Sequence, residues 1–520
     1  MKRDFARLDG ASFDLLVVGG GIYGAWVAYD AALRGLKVAV VEQGDWAAAT
    51  SSASSKLIHG GLRYLEMYDF GLVKKALAER QMLLEAAPHR VWPLRFGVPV
   101  YAESRLGTLR LKAGLVLYDF LAGNPGADMA HRHYGREEFS GRFPFLDTNG
   151  LKGGFTYADA QTDDARLVLE IIDGASSGGA ACVNYCRMTS LIERDGKAIG
   201  ALVQDRSDGA QCQVFARQIV NATGYWLAES EGGRVRLTKG VHLVLPGCGV
   251  NEALLLTAKS DGRVFFIIPW YGRTLVGTTD TDYRGDPEHI AVAAEDIGYL
   301  LAEANRYLNK GWSADDVIGS FAGLRALKYS DVAAPSAASR GWKLEIAPNG
   351  VHYSIGGKLT SAREDAARIV DSVCARLGIE VPCPTRGRPF PWKPEDSRDV
   401  AFPALQAQAR RLGLDQERAD WLIRRHGRGA KEIFQSIAAE GALAQRIVPD
   451  LAFTYADLLH CAREEMVVHL EDLLRRRMPL LILAKLNQDE LRRLARLAAP
   501  AVGWDEVAIE REVESCRARQ

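Results

Sequence analysis

The 520-residue sequence lacks an excess of either charge, because its 65 basic and 65 acidic residues cancel. Proteins that bind nucleic acid usually carry a basic excess, so we expect no nucleic-acid partner. Cysteine is scarce, with eight residues that form neither the CxxC pairs of zinc sites nor the density of a disulfide framework. We therefore expect no metal ion and a reducing compartment.

Long hydrophobic runs are also absent. No stretch approaches the roughly 18 apolar residues that a membrane-spanning helix needs. The first ten residues carry charges and precede no apolar run with a small-residue cleavage site, so we expect no secretory signal. These absences predict a cytoplasmic protein whose contact with a membrane is peripheral. The hydrophobic fraction, 48%, is sufficient for a core, and the length predicts two or three domains or one large interleaved domain.

Residues 13–45 have the order of a dinucleotide-binding unit: strand, glycine turn, helix, strand. The GxGxxG spacing provides one glycine for the tight turn, one for close approach to a pyrophosphate and one for helix packing. The helix is predicted to end near Arg34, and the second strand, KVAVVE, ends in an acidic residue that suits ribose hydroxyls. The predicted cofactor contacts are Gly19, Gly21, Gly24 and Glu42.

The following stretch, TSSASSKLIHGGLRYLE at 50–66, favours a flavin over a nicotinamide cofactor. A nicotinamide enzyme would continue with further strands and helices, whereas an isoalloxazine needs small residues and backbone donors against its ring and pyrophosphate. A flexible serine-rich linker is the alternative, but LIHGGLRYLE follows without a break. The predicted cofactor contacts are Thr50, Ser51, Ser52, Ser55, Lys56 and Leu57.

Two remote segments are predicted to complete the cofactor site. ARQIVNATG, at 216–224, is an apolar strand that ends in a small-residue turn. VHYSIGGKLTSARE, at 351–364, is a strand, a Gly-Gly turn and a helix that begins near Ser361, whose dipole could face the electron-rich edge of a flavin. Either segment alone would fit ordinary α/β packing. The predicted contacts are Ala222, Gly224, Gly356, Gly357, Leu359 and Thr360.

Several blocks, in order from about residue 12 to 370, resemble the FAD-dependent, quinone-linked glycerol-3-phosphate dehydrogenases. So many matches in order are more specific than one motif. The resemblance implies oxidation of sn-glycerol 3-phosphate to dihydroxyacetone phosphate by hydride transfer to FAD, with a quinone as electron acceptor. The blocks are TSSASSKLIHGGLRYLE, LVKKALAERQMLLEAAPH, DDARLVLE, QIVNATGYW, LTKGVHLVLP, VFFIIPWYGRTLVGTTDTDYRGDP and IGGKLTSARE, with a weaker match at EEMVVHLEDLLRRRMP.

Three cations follow glycines in the matching blocks: Arg63, Arg325 and Lys358. A dianionic polyol phosphate needs an arginine that binds two oxygens and a lysine as a point charge. The resemblance implies that these residues bind substrate beside the flavin, with Tyr64 as a further phosphate donor. For any one arginine, a surface ion pair is the alternative.

The hydroxyl proton needs a base, and imidazole is suited to that role near neutral pH. His242 and His59 both lie in matching blocks. We predict His242 as the base, His59 as a residue that orients flavin or substrate, and Arg325 as a stabiliser of developing alkoxide. A histidine on an apolar strand is otherwise usually a core residue.

Two departures from the family pattern concern the pocket: Ala326 and Tyr225 stand where proline is usual. The substrate is therefore less constrained than the cofactor. The alternatives are an oxidase that uses O2, a related FAD oxidoreductase acting on another hydroxy acid or amine, and a non-catalytic flavin-binding scaffold. A homodimer is one candidate assembly.

The predicted fold class is α/β. A Rossmann-like FAD-binding domain spans 12–375 and is interleaved with an antiparallel-sheet substrate domain, mainly at 80–150 and 225–320. Four prolines between Pro384 and Pro394 mark a boundary, and apolar residues at helical spacing predict a helical C-terminal cap domain at 395–520. Residues 124–150 are predicted to be loop and turn.

Two charged segments lie outside this scheme. Residues 105–123 combine basic residues with a leucine-rich face, as in a helix that lies in a lipid interface, although a helix that covers the core has the same composition. The resemblance implies a monotopic, quinone-linked enzyme, so peripheral membrane contact is expected. The run Arg475–Arg477 is predicted to be a solvated or ion-paired face.

Overall fold

The computed structural model describes residues 1–123, 126–230, 235–328 and 341–519. Two sheets and their helices form the part up to residue 377, and a helical region follows from residue 398. The strands are β1 (Ser12–Val18), β2 (Val38–Val41), β3 (Leu57–Ile58), β4 (Val91–Tyr101), β5 (Arg132–Gly135), β6 (Leu151–Thr162), β7 (Ala181–Val183), β8 (Cys186–Arg194), β9 (Lys197–Asp205), β10 (Gln211–Asn221), β11 (Val235–Pro246), β12 (Ala253–Thr257), β13 (Val264–Trp270), β14 (Arg273–Gly277), β15 (Thr281–Asp282), β16 (Gly319–Lys328), β17 (Lys343–Ile346) and β18 (His352–Ile355).

The helices alternate with strands early in the chain and follow one another at its end. They are α1 (Ile22–Leu33), α2 (Phe70–Ala86), α3 (Thr108–Leu121), α4 (Arg136–Arg142), α5 (Asp164–Ser177), α6 (Leu227–Ser230), α7 (Ala294–Asn305), α8 (Ala362–Leu377), α9 (Arg398–Arg411), α10 (Gln416–His426), α11 (Ala430–Ala439), α12 (Tyr455–Glu464), α13 (Leu480–Leu483), α14 (Gln488–Val502) and α15 (Glu506–Arg517), with a π-helical turn at Asp472–Arg477.

The first sheet has the strand order β17-β18-β10-β1-β2-β7, and the hairpin β8-β9 extends it beside β10. The pairs among β18, β10, β1, β2 and β7 are parallel. Parallel strands covered on both faces are continuously apolar, and every residue of Val38–Val41 is buried. This sheet is the Rossmann-like part of the predicted α/β fold, which is confirmed.

Helix α1 crosses one face of this sheet and packs against α5 and α8. Ten of its twelve residues are buried, because it is covered on several sides rather than along one stripe. It ends as predicted, with Arg34 as its C-cap and Gly35 at φ +85°. Helix α8 begins at Ala362, one residue after the predicted start.

The second sheet has the order β15-β11-β14-β13-β12-β4-β6-β3, with β16 beside β11 and β5 beside β6. All its pairs are antiparallel except β12 with β4. The antiparallel sheet predicted from residues 225–320 therefore exists, and it also recruits β3, β4 and β6 from earlier in the chain. It packs on the helical region through one large apolar cluster that includes Phe96, Trp270 and Leu473.

One prediction about secondary structure needs correction. Residues 124–150 are not only loop and turn, because β5 pairs with β6 and α4 follows it directly. Phe139 on α4 and Phe143, the C-cap residue that follows it, are both fully buried, and this spacing of four residues is the signal that was missed.

In the run Arg475–Arg477, the ion-paired alternative is confirmed for Arg476 and Arg477, which do not form a solvated face. Arg476 and Arg477 are buried and both bind Asp45, which lies just after β2. The arginines therefore tie the helical region to the first sheet.

Candidate active site

A cavity of about 600 Å³ lies beyond the carboxyl ends of β1, β2 and β10 and extends to the second sheet. Its volume falls in the usual range for cofactor and small-molecule sites, about 300–1,000 Å³. In open α/β sheets, ligands bind at this edge of the strands. Phe96, Tyr157, Leu255 and Phe266 form an apolar wall from the second sheet.

Glycines form the floor of the cavity because the backbone segments approach too closely for side chains. Gly19 has φ +109°, and a Cβ atom there would lie 2.6 Å from the carbonyl oxygen of Ala222. Gly357 has φ +105°, and its Cβ would lie 1.8 Å from the Tyr23 hydroxyl oxygen. These two glycines join the three predicted segments at one place.

The serine stretch packs against this floor with its hydroxyls engaged. Ser51 Oγ accepts a hydrogen bond of 2.9 Å from the Ile22 amide at the start of α1. Thr50 Oγ1 donates to the carbonyl oxygen of Leu324, 2.5 Å away on β16. The stretch is therefore an ordered part of the cavity wall that links both sheets, and the linker alternative is wrong.

Glu42 lies in the wall at the end of β2. Its carboxylate accepts from the Gly20 amide at 2.6 Å and from the Gly44 amide at 2.8 Å. Burial raises the pKa of Glu42, and these two amides oppose the rise.

The residues present fit a flavin dinucleotide. Glycine turns leave the backbone open, α1 begins at the cavity with Ile22 and Tyr23 in its wall, and an apolar wall faces the far end of the cavity. All but four of the predicted cofactor, substrate and catalytic residues line this cavity: Gly19, Gly21, Glu42, Thr50, Ser51, Ser55, Leu57, His59, Arg63, Tyr64, Ala222, Gly224, Arg325, Gly356, Gly357, Lys358, Leu359 and Thr360.

Four predicted residues lie outside the wall. Gly24 packs α1 on the strand turn, as predicted for the third glycine, since its Cβ would lie 1.8 Å from the Gly19 carbonyl oxygen. Ser52 is buried. Lys56 is buried, with its ammonium 2.6 Å from Asp164 and 2.7 Å from the Ser52 carbonyl oxygen. The prediction that Ser52 and Lys56 contact the cofactor stays a prediction. His242 is the fourth.

Two of the three predicted cations meet at Tyr64. Lys358 Nζ lies 3.8 Å from the centroid of the Tyr64 ring, and Arg63 Cζ lies 5.9 Å from it. The amide of Lys358 donates to the Tyr23 hydroxyl at 3.1 Å, and that hydroxyl donates to Asp365 at 2.8 Å. The Tyr23 hydroxyl and Asp365 therefore fix the turn that carries Lys358.

Arg325 enters from the second sheet. Its guanidinium donates to Thr278 Oγ1 at 3.0 Å, to the Thr279 carbonyl at 3.3 Å and to Asp280 at 3.2 Å. A Cβ atom at Gly240, its neighbour on β11, would lie 2.4 Å from the guanidinium. These contacts therefore fix the Arg325 guanidinium in the part of the cavity wall that the second sheet provides.

The two predicted histidines occupy different layers. His59 lines the cavity, and its amide donates to Thr360 Oγ1 at 3.1 Å. His242 is only 1% exposed and lies behind the wall, with Nε2 2.8 Å from Ser55 Oγ. The assignment of His242 as the base stays a prediction, and any contact with substrate runs through another group.

Sequence reasoning missed several wall residues. Tyr23 occupies a variable position of the GxGxxG pattern, where nothing marks it as a contact. Phe96, Tyr157 and Leu255 look like ordinary strand residues, and only the pairing of β4, β6 and β12 brings them together. Arg187 follows β7 across a short turn, and strand order could have placed it near the second strand.

The parallel sheet, the glycine floor and the remote Gly-Gly turn define the class: an FAD-binding oxidoreductase. Residues 14–363 match the family of FAD dependent oxidoreductases, and residues 399–509 match the C-terminal domain of alpha-glycerophosphate oxidase. Glycerol-3-phosphate dehydrogenase from Synechocystis sp. is 35% identical over 505 residues, covering 91% of this chain and 90% of that protein. The enzyme of that name from Pseudomonas aeruginosa is 37% identical over 481 residues, covering 89% and 91%.

The chain belongs to the FAD-dependent glycerol-3-phosphate dehydrogenase family. Among solved structures, the glycerol-3-phosphate dehydrogenase from Bacillus halodurans complexed with FAD is similar, with a TM-score of 0.79, 28% identity and coverage of 99% of this chain and 95% of that one. The L-alpha-glycerophosphate oxidase from Mycoplasma pneumoniae, at 19% identity and a TM-score of 0.56, shares the fold. FAD is the cofactor of this protein.

Proposed function

We propose that this protein oxidises sn-glycerol 3-phosphate to dihydroxyacetone phosphate, with FAD as hydride acceptor and a membrane quinone as the next electron acceptor. One observation carries the proposal: Arg63, Lys358 and Arg325 come from separate elements and line the cavity that holds the glycine floor. Three cations from separate elements suit a dianionic phosphate, because arginine can bind two of its oxygens and lysine supplies a point charge. Relatives named glycerol-3-phosphate dehydrogenase support the same substrate.

The positions of the cations suggest a division of roles. Arg63 and Lys358, which share the Tyr64 ring, would bind the phosphate. Arg325, held by Thr278 and Asp280, would stabilise negative charge that develops on the substrate oxygen. FAD, when bound, supplies the hydride acceptor.

Helix α3 supports a peripheral contact with the cytoplasmic face of a membrane. Leu109, Val116 and Phe120 on α3 are 82%, 50% and 69% exposed. Tyr68, on the neighbouring turn, is 79% exposed, and basic residues lie at the N-terminal end of the helix. This is the composition of an interfacial helix. No helix within the described ranges is long and apolar enough to cross a bilayer.

The inner face of α3 reaches the cavity. The Tyr118 hydroxyl donates to Asp159 at 2.8 Å, and Asp159 lines the cavity and accepts from the Gly60 amide at 3.2 Å. Only the Tyr118 side chain therefore separates the proposed lipid-facing helix from Asp159 in the cavity wall. This short separation supports a membrane quinone as the electron acceptor.

Anaerobic mixing of the FAD-loaded protein with glycerol 3-phosphate tests the activity. We expect the flavin absorbance to bleach within the turnover time, because substrate reduces the flavin before any acceptor is present. A folded, FAD-loaded sample that keeps its oxidised spectrum would contradict the proposal. A panel of hydroxy acids and amines in the same experiment tests the alternative substrates.

A second candidate function is a glycerol-3-phosphate oxidase, favoured by the match of residues 399–509 to the C-terminal domain of alpha-glycerophosphate oxidase. The two functions differ in the electron acceptor. Turnover in air that releases hydrogen peroxide in proportion to substrate indicates the oxidase. Rapid reduction of a soluble quinone analogue with little peroxide supports the dehydrogenase.

A further inference from the structure

His242 is separated from the cavity by the serine stretch. Its ring stacks on Phe321 of the neighbouring strand, with centroids 4.9 Å apart and planes at 13°. On the other side, a Cβ atom at Gly277 would lie 2.4 Å from Cδ2 of His242, so only glycine leaves room for the ring. The imidazole is therefore fixed in a buried slot between two neighbouring strands.

Ser55 joins this slot to the cavity. It lines the cavity, and its Oγ atom lies 2.8 Å from Nε2 of His242. Both of its neighbours are anchored to Asp164: Ser54 Oγ donates to it at 2.6 Å, and Lys56 Nζ lies 2.6 Å from it. The Ser55 hydroxyl therefore has a defined position even though it sits in a loop.

The charges around His242 keep its ring neutral. Burial lowers the pKa of His242 well below its usual value, and the positive charges of Arg325 and Lys56 lower it further. A neutral imidazole is a proton acceptor only through a nitrogen that carries no hydrogen. A phosphate dianion bound by the cations of the cavity would offset the positive potential and favour protonation of the ring when substrate is present.

We propose that Ser55 is a catalytic residue that passes the hydroxyl proton of the substrate to His242. This inference rests on the proposed oxidation of an alcohol. As the substrate C–H bond breaks and hydride leaves to the flavin, the substrate O–H bond breaks and its proton bonds to Ser55 Oγ. The original Ser55 proton moves to Nε2 of His242, so that a ketone, an intact serine and an imidazolium result.

The relay requires that Nε2 of His242 accept a hydrogen bond from Ser55, with the ring proton on Nδ1. Among the described residues, Nδ1 has no hydrogen-bond partner, so the direction of the bond between Nε2 and Ser55 distinguishes the two tautomers. Nitrogen-15 NMR of holoenzyme labelled at histidine reports this directly. We expect an unprotonated Nε2 whose shift moves in Ser55→Ala; a proton on Nε2 in the wild-type holoenzyme would overturn the relay.

Rapid-reaction kinetics provide the functional test. In Ser55→Ala we expect flavin reduction by glycerol 3-phosphate to slow about 100-fold or more, the usual range for loss of a positioned proton acceptor. Substrate affinity from the same traces should change less than about threefold, because hydroxyl–imidazole transfer contributes chiefly in the transition state. The solvent deuterium isotope effect on reduction should fall as well.

Ser140→Ala is the control. It removes a serine hydroxyl on α4 that donates to the Glu137 carbonyl oxygen at 3.0 Å, away from the residues that line the cavity. We expect it to retain the solvent isotope effect. If Ser55→Ala does not retain FAD, the nitrogen-15 spectrum of the wild-type holoenzyme carries the test, because a proton on Nε2 of His242 overturns the relay without any variant.

Coupling between the two residues completes the test. Residues that act as one relay are non-additive, so Ser55→Ala with His242→Asn should be about as slow as either single variant. Multiplicative effects, or a full isotope effect in Ser55→Ala that is lost in His59→Asn, would overturn the proposal in favour of His59. Failure of the proposed function is distinct, since the wild-type flavin would then not bleach while the NMR result would still stand.

Discussion

Gly357 shows how a single glycine lets two remote segments of the cavity wall approach each other. Its positive φ already favours glycine, and the hydroxyl of Tyr23 occupies the space where a side chain would begin. That hydroxyl is held by Asp365, which also binds Lys75 at 2.6 Å, so Tyr23 has little freedom to move away. The Gly356–Gly357 turn is therefore rigid, because α1, α2 and α8 all hold the Tyr23 hydroxyl in place.

The substitution Gly357→Ala is expected to weaken FAD binding at least about tenfold, since displacing Tyr23 from under the turn costs more than about 1.4 kcal/mol. The ratio of flavin to protein absorbance after dialysis measures it. Gly350→Ala is the control: φ is +93°, but nothing lies within 4 Å of its Cβ, so it carries the backbone strain alone. Equal FAD loss in both variants would show that strain, not the contact with Tyr23, is responsible.

Arg63 provides a second test at a single residue. We expect Arg63→Ala to weaken the binding of glycerol 3-phosphate about 10- to 100-fold, because the substrate would lose one or two hydrogen bonds to a charged group. FAD content should stay unchanged. Substrate titration of anaerobic flavin reduction measures both quantities. Arg217→Ala, which removes an exposed arginine paired with Asp14, is the control; equal affinity in the two variants would remove Arg63 from the site.

At the scale of elements, much of the fold could be predicted because its signals are local. The strand-turn-helix unit around residues 12–42 carries glycines at fixed offsets, and the helical C-terminal region carries apolar residues at three-and-four spacing. The apolar wall could not be predicted, since Phe96 and Tyr157 become neighbours only when β4 pairs with β6. The burial of His242 behind Ser55 could not be predicted for the same reason, because it depends on tertiary packing.

The exposed apolar face of helix α3 predicts where the protein contacts a membrane. Leu109→Glu combined with Phe120→Glu should abolish binding to vesicles that contain phosphatidylglycerol, because each apolar side chain contributes about 1.5–3 kcal/mol when it is buried in lipid. Both residues are exposed, so the free energy of unfolding should change by less than about 1 kcal/mol. Cosedimentation with vesicles measures binding.

Val507→Glu is the matched control for α3, because Val507 is 77% exposed on α15 and lies outside the proposed surface. It should leave vesicle binding intact. Undiminished cosedimentation of the α3 variant would place the membrane contact elsewhere.

Over the whole molecule, the helical region is joined to the first sheet by buried ion pairs. Arg166 on α5 donates to Glu465 at 2.8 Å, and both side chains are at most 2% exposed. Burial raises the pKa of Glu465, but the Arg166 guanidinium outweighs it and holds the pKa well below its usual range. The stabilisation is therefore complete above about pH 4.3 and is lost only as pH falls through the lower folded-state pKa.

We expect Glu465→Gln to lower the free energy of unfolding by about 3–5 kcal/mol, because Arg166 would remain buried without its charge partner. Urea unfolding measures the change. Glu465→Gln combined with Arg166→Met should recover much of the loss, since the unpaired charge is gone. If the double variant is no more stable than the single one, the pair does not act as a unit.

The glycine floor described above also fixes an order of events during synthesis. Its parts lie at residues 19–24, 222–224 and 356–357, so more than two thirds of the chain must leave the ribosome before the last part is available. Until then, the nascent first sheet lacks β18, the parallel partner of Val220 and Asn221 at the end of β10. Flavin capture is thus a late step of biogenesis, since no shorter nascent chain carries all three parts of the floor.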